Sequence, residues 1–110
     1  MLPYAMVEVR YYEEDGRAPF DEWFRSVDRS AQARITSAIA RLEEGNTSNL
    51  KSVGNGVHEL RLNFGPGYRV YLGRDGPLLL ILLTGGTKQR QNRDIEKAKI
   101  LWDRYKRFAQ

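Results

Sequence analysis

The sequence predicts an α+β fold: a small antiparallel sheet in the element order β-α-α-β-β-β-α, with two N-terminal helices and one C-terminal helix. Three observations carry this expectation. Apolar residues recur at helical spacing between residues 20 and 44 and again between 93 and 108. Between 57 and 83 they alternate with polar residues in two segments and run unbroken in a third. Those three segments are separated only by Gly65-Pro66-Gly67 and Arg74-Asp75-Gly76-Pro77, connections too short for a parallel crossover.

The elements follow in order. Val7, Val9 and Tyr11 alternate with Glu8, Arg10 and Tyr12, the period of a half-buried strand. Asp15-Gly16-Arg17-Ala18-Pro19 is a turn, and Pro19 opens a helix over Phe20 to Val27 with Phe20, Trp23 and Phe24 on one side. Asp28 or Ser30 is placed to cap a second helix, which runs to Glu44 with Ile35, Ala38, Ile39 and Leu42 on one face. Gly45-Asn46 ends it. The polar stretch from Asn46 to Gly56 is expected to be a loop. Val57 to Phe64 places His58, Leu60, Leu62 and Phe64 on one face and Val57, Glu59, Arg61 and Asn63 on the other. Tyr68 to Gly73 sets Tyr68, Val70 and Leu72 against Arg69 and Tyr71. Leu78 to Leu83 is apolar throughout, as expected of a central strand covered on both faces, and Gly85-Gly86 is expected to end it. The last helix, from about Arg93 to Phe108, carries the stripe Ile95, Ala98, Leu101, Trp102 and Tyr105. With no linker, repeat or low-complexity stretch, residues 1–110 are expected to form a single domain.

Composition narrows the function classes. The chain is 41% hydrophobic and 29% charged, ordinary for a globular protein. It has no cysteine, which excludes disulfides, thiolate catalysis and cysteine-based zinc sites. His58 is the only histidine and is expected at the edge of the core, so neither a metal nor a cofactor is expected. No segment approaches the roughly 18 apolar residues of a membrane-spanning helix. The start, Met1-Leu2-Pro3-Tyr4-Ala5-Met6, is too short and too uncharged for a secretory signal, so the cytoplasm is the expected location. The net charge is +4 and the pI about 9.6. Residues 88–110 hold eight basic against three acidic side chains, a net of +5, so residues 1–87 carry −1. Such clustering attracts polyanions. A solvated helix face or a docking surface for an acidic protein would have the same composition.

The chemistry on offer lies on one side of the three-strand meander. There is no G-x-S-x-G elbow and no phosphate-binding loop ending in Gly-Lys-Ser/Thr. Glu59 and Arg61 point to one side of their strand, and Arg69 and Tyr71 point to one side of the next. Pairing through Gly65-Pro66-Gly67 puts all four on a shared face, with Lys88 just beyond the adjacent strand. Arg61, Arg69 and Lys88 together suit a phosphate, the arginines as forks and the lysine as a point charge. Glu59 and Arg61 would equally serve as an ion pair on a solvated sheet face. Trp23, Trp102 and Tyr105 sit at helical spacing and are expected in the core.

The blocks Val57-His58-Glu59-Leu60-Arg61-Leu62, Gly65-Pro66-Gly67-Tyr68-Arg69-Val70-Tyr71, Leu82-Leu83-Thr84-Gly85-Gly86-Thr87-Lys88 and Asp94-Ile95-Glu96-Lys97-Ala98 together resemble one family. It is the RelE/ParE superfamily of toxins, in its HigB-like branch of addiction-module killer proteins. Phe20-Asp21-Glu22-Trp23 and the run Asp28 to Ile35 match that branch too, so the resemblance spans about residues 7–108. It implies a RelE-like fold and the toxin of a type II toxin–antitoxin system. The implied activity is ribosome-dependent, metal-independent cleavage of mRNA, and the implied partners are mRNA on the ribosome and a cognate helix-turn-helix antitoxin. Arg69 matches the family arginine after Gly-Tyr, and Arg61 and Lys88 match basic positions in the preceding strand and after the last one. Glu59 is the candidate base, although some relatives carry a basic residue there, and Asp94 stands where some carry tyrosine. Tyr71, Arg90, Arg93 and Lys51 are further candidates for RNA contact. The alternatives are a ParE-like inhibitor of DNA gyrase and a non-enzymatic binding module.

Overall fold

The computed structural model describes residues 6–108, so the reading of Met1–Ala5 as no secretory signal lies outside the described residues. Strand β1 (Glu8–Tyr11) is followed by helices α1 (Pro19–Ser26) and α2 (Arg29–Glu43). Strands β2 (Leu50–Gly54), β3 (Val57–Leu62), β4 (Tyr68–Arg74) and β5 (Leu79–Thr87) come next. A single 3-10 turn, Lys88–Arg90, leads into α3 (Gln91–Phe108). Pro19 starts α1, where its missing N–H costs nothing, and Asp28 rather than Ser30 caps α2, its Oδ1 accepting from the Ala31 N–H at 2.8 Å.

The α+β class holds, and the sheet differs from expectation in three ways. Its order is β1-β5-β4-β3-β2, and β1 runs parallel to β5, with Glu8 opposite Leu79 and Tyr11 opposite Leu82. The sheet is therefore mixed, and β4 is the middle strand. β5 is still covered on both faces, as its apolar run demands. The second difference is β2, which occupies the stretch expected to be a loop. As an edge strand pairing only with β3, it leaves Lys51 and Ser52 exposed and needs no apolar alternation. The third is that β5 continues through Gly85-Gly86 to Thr87. These glycines stay in the strand because neighbours fill their side-chain space. A Cβ on Gly85 would lie 2.1 Å from the Trp23 ring, and one on Gly86 would lie 1.8 Å from Asp94 Oδ2.

Two cores sandwich the sheet. Between the sheet and α1/α2 lie Phe20, Ile35, Leu42, Leu60, Leu62, Val70, Leu72 and Leu82. On the other side Val57, Tyr71, Ile81, Leu83, Ala98, Leu101 and Trp102 pack under α3. Each buried side chain of this size contributes roughly 1.5–3 kcal/mol relative to exposure. Trp102 lies flat on β4 because Gly73 has no side chain: a Cβ there would be 2.1 Å from Trp102 Cε3. Gly73→Ala is therefore expected to lower stability by about 1–3 kcal/mol through overpacking. A urea midpoint within error of the parent protein would refute this contact.

Candidate functional site

Alternation along β3 and β4 sends Glu59, Arg61, Arg69 and Tyr71 to the α3 side of the sheet. Register then groups them in rows. Arg61 stands opposite Arg69, and Arg69 opposite Gly86. One step further in, Lys51 faces Glu59, Glu59 faces Tyr71, and Tyr71 faces Thr84. Lys88 is brought to the same end by its backbone N–H, which donates to the Gly67 carbonyl at 2.8 Å. A Cβ on Gly67 would meet Lys88 Cβ at 3.2 Å and Arg69 Nη1 at 3.3 Å, so both side chains flank that glycine. Three cations from three segments thus gather where β3, β4 and β5 approach α3.

Two arginines opposite each other repel unless something compensates them. Arg61 is compensated: its Nε donates to Glu59 Oε1 at 2.7 Å. Arg69 is not. It is only 6% exposed, it has no carboxylate within ion-pairing distance among the described residues, and its Nε is buried without a hydrogen-bond partner. Its Nη1 donates to the Tyr68 carbonyl at 3.1 Å. A buried guanidinium without a counter-ion is costly. The arrangement is suited to an incoming anion at this end of the sheet.

The structure corrects the expected exposure of this face. The meander face is roofed by α3, so Glu59 and Tyr71 are both 0% exposed. Both side chains, expected on an accessible sheet face, are enclosed between the sheet and α3. Glu59 instead accepts from Arg61 on its own strand and from Gln91 Nε2 of α3 at 2.8 Å. Burial pushes its carboxyl up, but the hydrogen bonds from Arg61 and Gln91 outweigh it, and the carboxyl ends below its ordinary range. Burial and then the Glu59 charge push the Tyr71 phenol up. Its hydroxyl is enclosed without a partner.

Asp94 and Gln91 join this environment. The helix begins at Gln91, two residues before the expected start, so Asp94 falls in the first turn, on the buried face. It is no cap. Its Oδ2 lies over Gly86, buried and without a partner. Burial pushes the Asp94 carboxyl up, against the pull of Arg90, Lys97 and Arg93. Gln91 carried no signal in the sequence, since its role exists only once α3 lies across β3. Arg90 and Arg93 are exposed and line an open basic cleft with Lys88 and Asn92. Lys51 is exposed on β2 beside Glu59. His58 is half-buried at the opposite face of β3, where burial and then Arg74 push its imidazole down.

The three-helix, five-strand α+β architecture is compatible with a RelE-like fold, the fold of a toxin–antitoxin type of family. A profile of the phage-derived Gp49-like protein family (DUF891) matches residues 22–106, and the chain belongs to that family. It is similar to an uncharacterised protein of Haemophilus influenzae, 46% identical over 83 residues that cover 74% of this chain and 84% of the relative. Among the described residues no helix is long and apolar enough to cross a membrane.

Glu59 is the tie between sheet and helix, and its removal has a readable signature. Glu59→Gln keeps the shape but loses the charge, and is expected to cost about 1–3 kcal/mol at neutral pH. A carboxyl whose folded-state pKa is depressed stabilises above its unfolded value and loses that contribution as pH falls through the folded value. The gap between parent and variant should therefore narrow as pH falls below 4.5, the ordinary value for this group. Urea titrations showing a gap independent of pH would refute the assignment.

Proposed function

We propose that the protein is the toxin of a type II toxin–antitoxin pair and acts as an endoribonuclease on mRNA held in the ribosome. The observation that carries this reading is the buried Arg69 guanidinium, which lacks a counter-ion while Arg61 stands opposite it in the strand register and Lys88 begins beside it at Gly67. A scissile phosphodiester supplies the missing anion. The 2′-oxygen of the preceding ribose attacks phosphorus in line as the bond to the 5′-oxygen breaks. The products are a cyclic 2′,3′-phosphate and a 5′-hydroxyl, the 2′-OH giving up a proton and the departing oxygen gaining one. Because the nucleophile belongs to the substrate, the protein's task is charge stabilisation and orientation.

The side chains divide that work. Arg69 and Arg61 present N–H groups to the phosphate oxygens, and Lys88 adds a mobile positive charge. Glu59 is a positioning residue, holding Arg61 against the repulsion of Arg69. Arg90 and Arg93 extend the basic surface at the start of α3 and would contact neighbouring phosphates, with Lys51 at the far edge of the sheet. The ribosome fixes the strand in line. A cognate helix-turn-helix antitoxin would neutralise the toxin in the cytoplasm by covering this surface.

Removing one preorganised donor from a transition state of this kind typically costs about 3–4 kcal/mol, a factor of roughly 10² to 10³. Arg69→Ala is thus expected to abolish growth arrest and the induced mRNA cuts seen by primer extension. Normal arrest and cutting by that variant would overturn the phosphate clamp. Arrest accompanied by DNA-damage signalling and intact mRNA would instead identify a gyrase poison.

A further inference from the structure

On the opposite side of the sheet a second basic groove runs between α2 and the end of β3. It is lined by Arg34, Ser37 and Arg41 from α2 and by Asn49, Asn63 and Phe64 facing them, and it continues to Arg61. No aspartate or glutamate lines it. Arg34 and Arg41 are two turns apart on one helix face, roughly 10 Å along the axis. Both are exposed, and neither forms an ion pair with the described residues. The Arg34 guanidinium is held in place, 4.5 Å above the centre of the Phe64 ring.

We propose that this groove holds the phosphate backbone of the single-stranded RNA next to the scissile site, with Arg34 and Arg41 each contacting a phosphate. The inference rests on the nuclease reading above. Continuity favours it: Arg61 borders both the groove and the cationic cluster, because β2 pairs with β3 only as far as Leu60 and leaves the end of β3 as an open edge. A strand leaving Arg69 and Arg61 can pass this edge into the groove. The lining favours it too. Leu60 and Leu62 are buried in the core, Phe64 lies under Arg34, and none of the exposed large apolar residues (Met6, Tyr11, Leu78, Ile100, Phe108) is here. An acidic amphipathic helix finds no apolar seat in such a groove, whereas a phosphate backbone needs only cations and amides. The stacked guanidinium adds a flat surface for a base.

The test uses the full chain and RNA carrying 2′-O-methyl groups, which resists 2′-OH attack, in lengths of about four and about twelve nucleotides. The parent protein should bind the longer RNA more tightly. The double variant Arg34→Ala/Arg41→Ala should lose that advantage, roughly tenfold near 0.1 M salt, and its log–log salt slope should fall by about 1.4, the loss of two single-strand phosphate contacts. Arg17→Ala/Arg25→Ala, which removes the same charge from α1 and its approach, should bind like the parent. An equal loss in this control would reduce the effect to net charge and overturn the groove. So would a parent protein without length dependence, or a groove variant with unchanged RNA affinity whose complex with the antitoxin dissociates. If the groove variant binds normally while Arg69→Ala is inactive in mRNA cleavage, the groove alone falls. Active Arg69→Ala would remove the nuclease reading beneath it.

Discussion

The Glu59 carboxylate is the joint on which the rest turns. It is wholly enclosed, and an enclosed carboxylate persists only with donors on its lone pairs. One donor is Arg61 on the same strand and the other is Gln91 at the start of α3. The helix therefore cannot slide along the sheet without stranding a charge. At the far end Tyr105 donates to Asp75 Oδ2 at 2.8 Å, on the β4–β5 connection. Pinned near both ends, α3 has one position, and that position drops Asp94 onto Gly86 and Trp102 onto Gly73. Apolar burial alone would tolerate small shifts of a helix on a sheet, whereas directional bonds to a buried charge do not.

The same carboxylate settles which arginine is free. Arg61 and Arg69 face each other, and Glu59 satisfies only the first. Since Arg61 is the more exposed of the two, its pairing alone would add little to stability. Its value is geometric: the guanidinium is kept beside Arg69 instead of swinging into solvent. Asp94, at the start of α3, is desolvated, its carboxyl pushed up and its buried Oδ2 turned to Gly86. The cluster keeps an excess of positive charge, and its one buried member, Arg69, sits in an environment of reduced dielectric, where charge interactions are stronger than at an open surface.

Periodicity made much of this legible. The alternations in β3 and β4 record the core against α1 and α2, and the stripe of α3 records the core on the other side of the sheet. The Gly65-Pro66-Gly67 connection implies that Arg61 and Arg69 share one face of the sheet, and the register adds that they stand opposite each other. What escaped was determined by partners outside the local pattern. Nothing in Glu8–Tyr11 records that its neighbour is β5, over sixty residues away, and hence that it pairs in parallel. The polar β2 has the composition of a loop because one of its edges and much of its surface face solvent. Gly85 and Gly86 have the signature of a strand end, yet they are strand residues emptied to admit Trp23 and Asp94. The sidedness of Glu59 was legible, but its burial depended on where α3 comes to rest.

These close approaches connect stability to function. A glycine inside a strand costs about 0.5–1 kcal/mol relative to alanine, and three of them lie in β4 and β5, at positions 73, 85 and 86. Tryptophan rings fill two of the gaps, and Asp94 fills the third. The first two return their cost as apolar burial. The third does not, because it seats an acid without a hydrogen-bond partner next to the cationic end of the sheet. A site shaped by stability alone would place an apolar side chain over Gly86 and a carboxylate beside Arg69. Instead Asp94 Oδ2, lying over Gly86, and Arg69 Nε, at the strand position opposite Gly86, are both buried without a hydrogen-bond partner, and these unmet polar groups cost local stability at this end of the sheet.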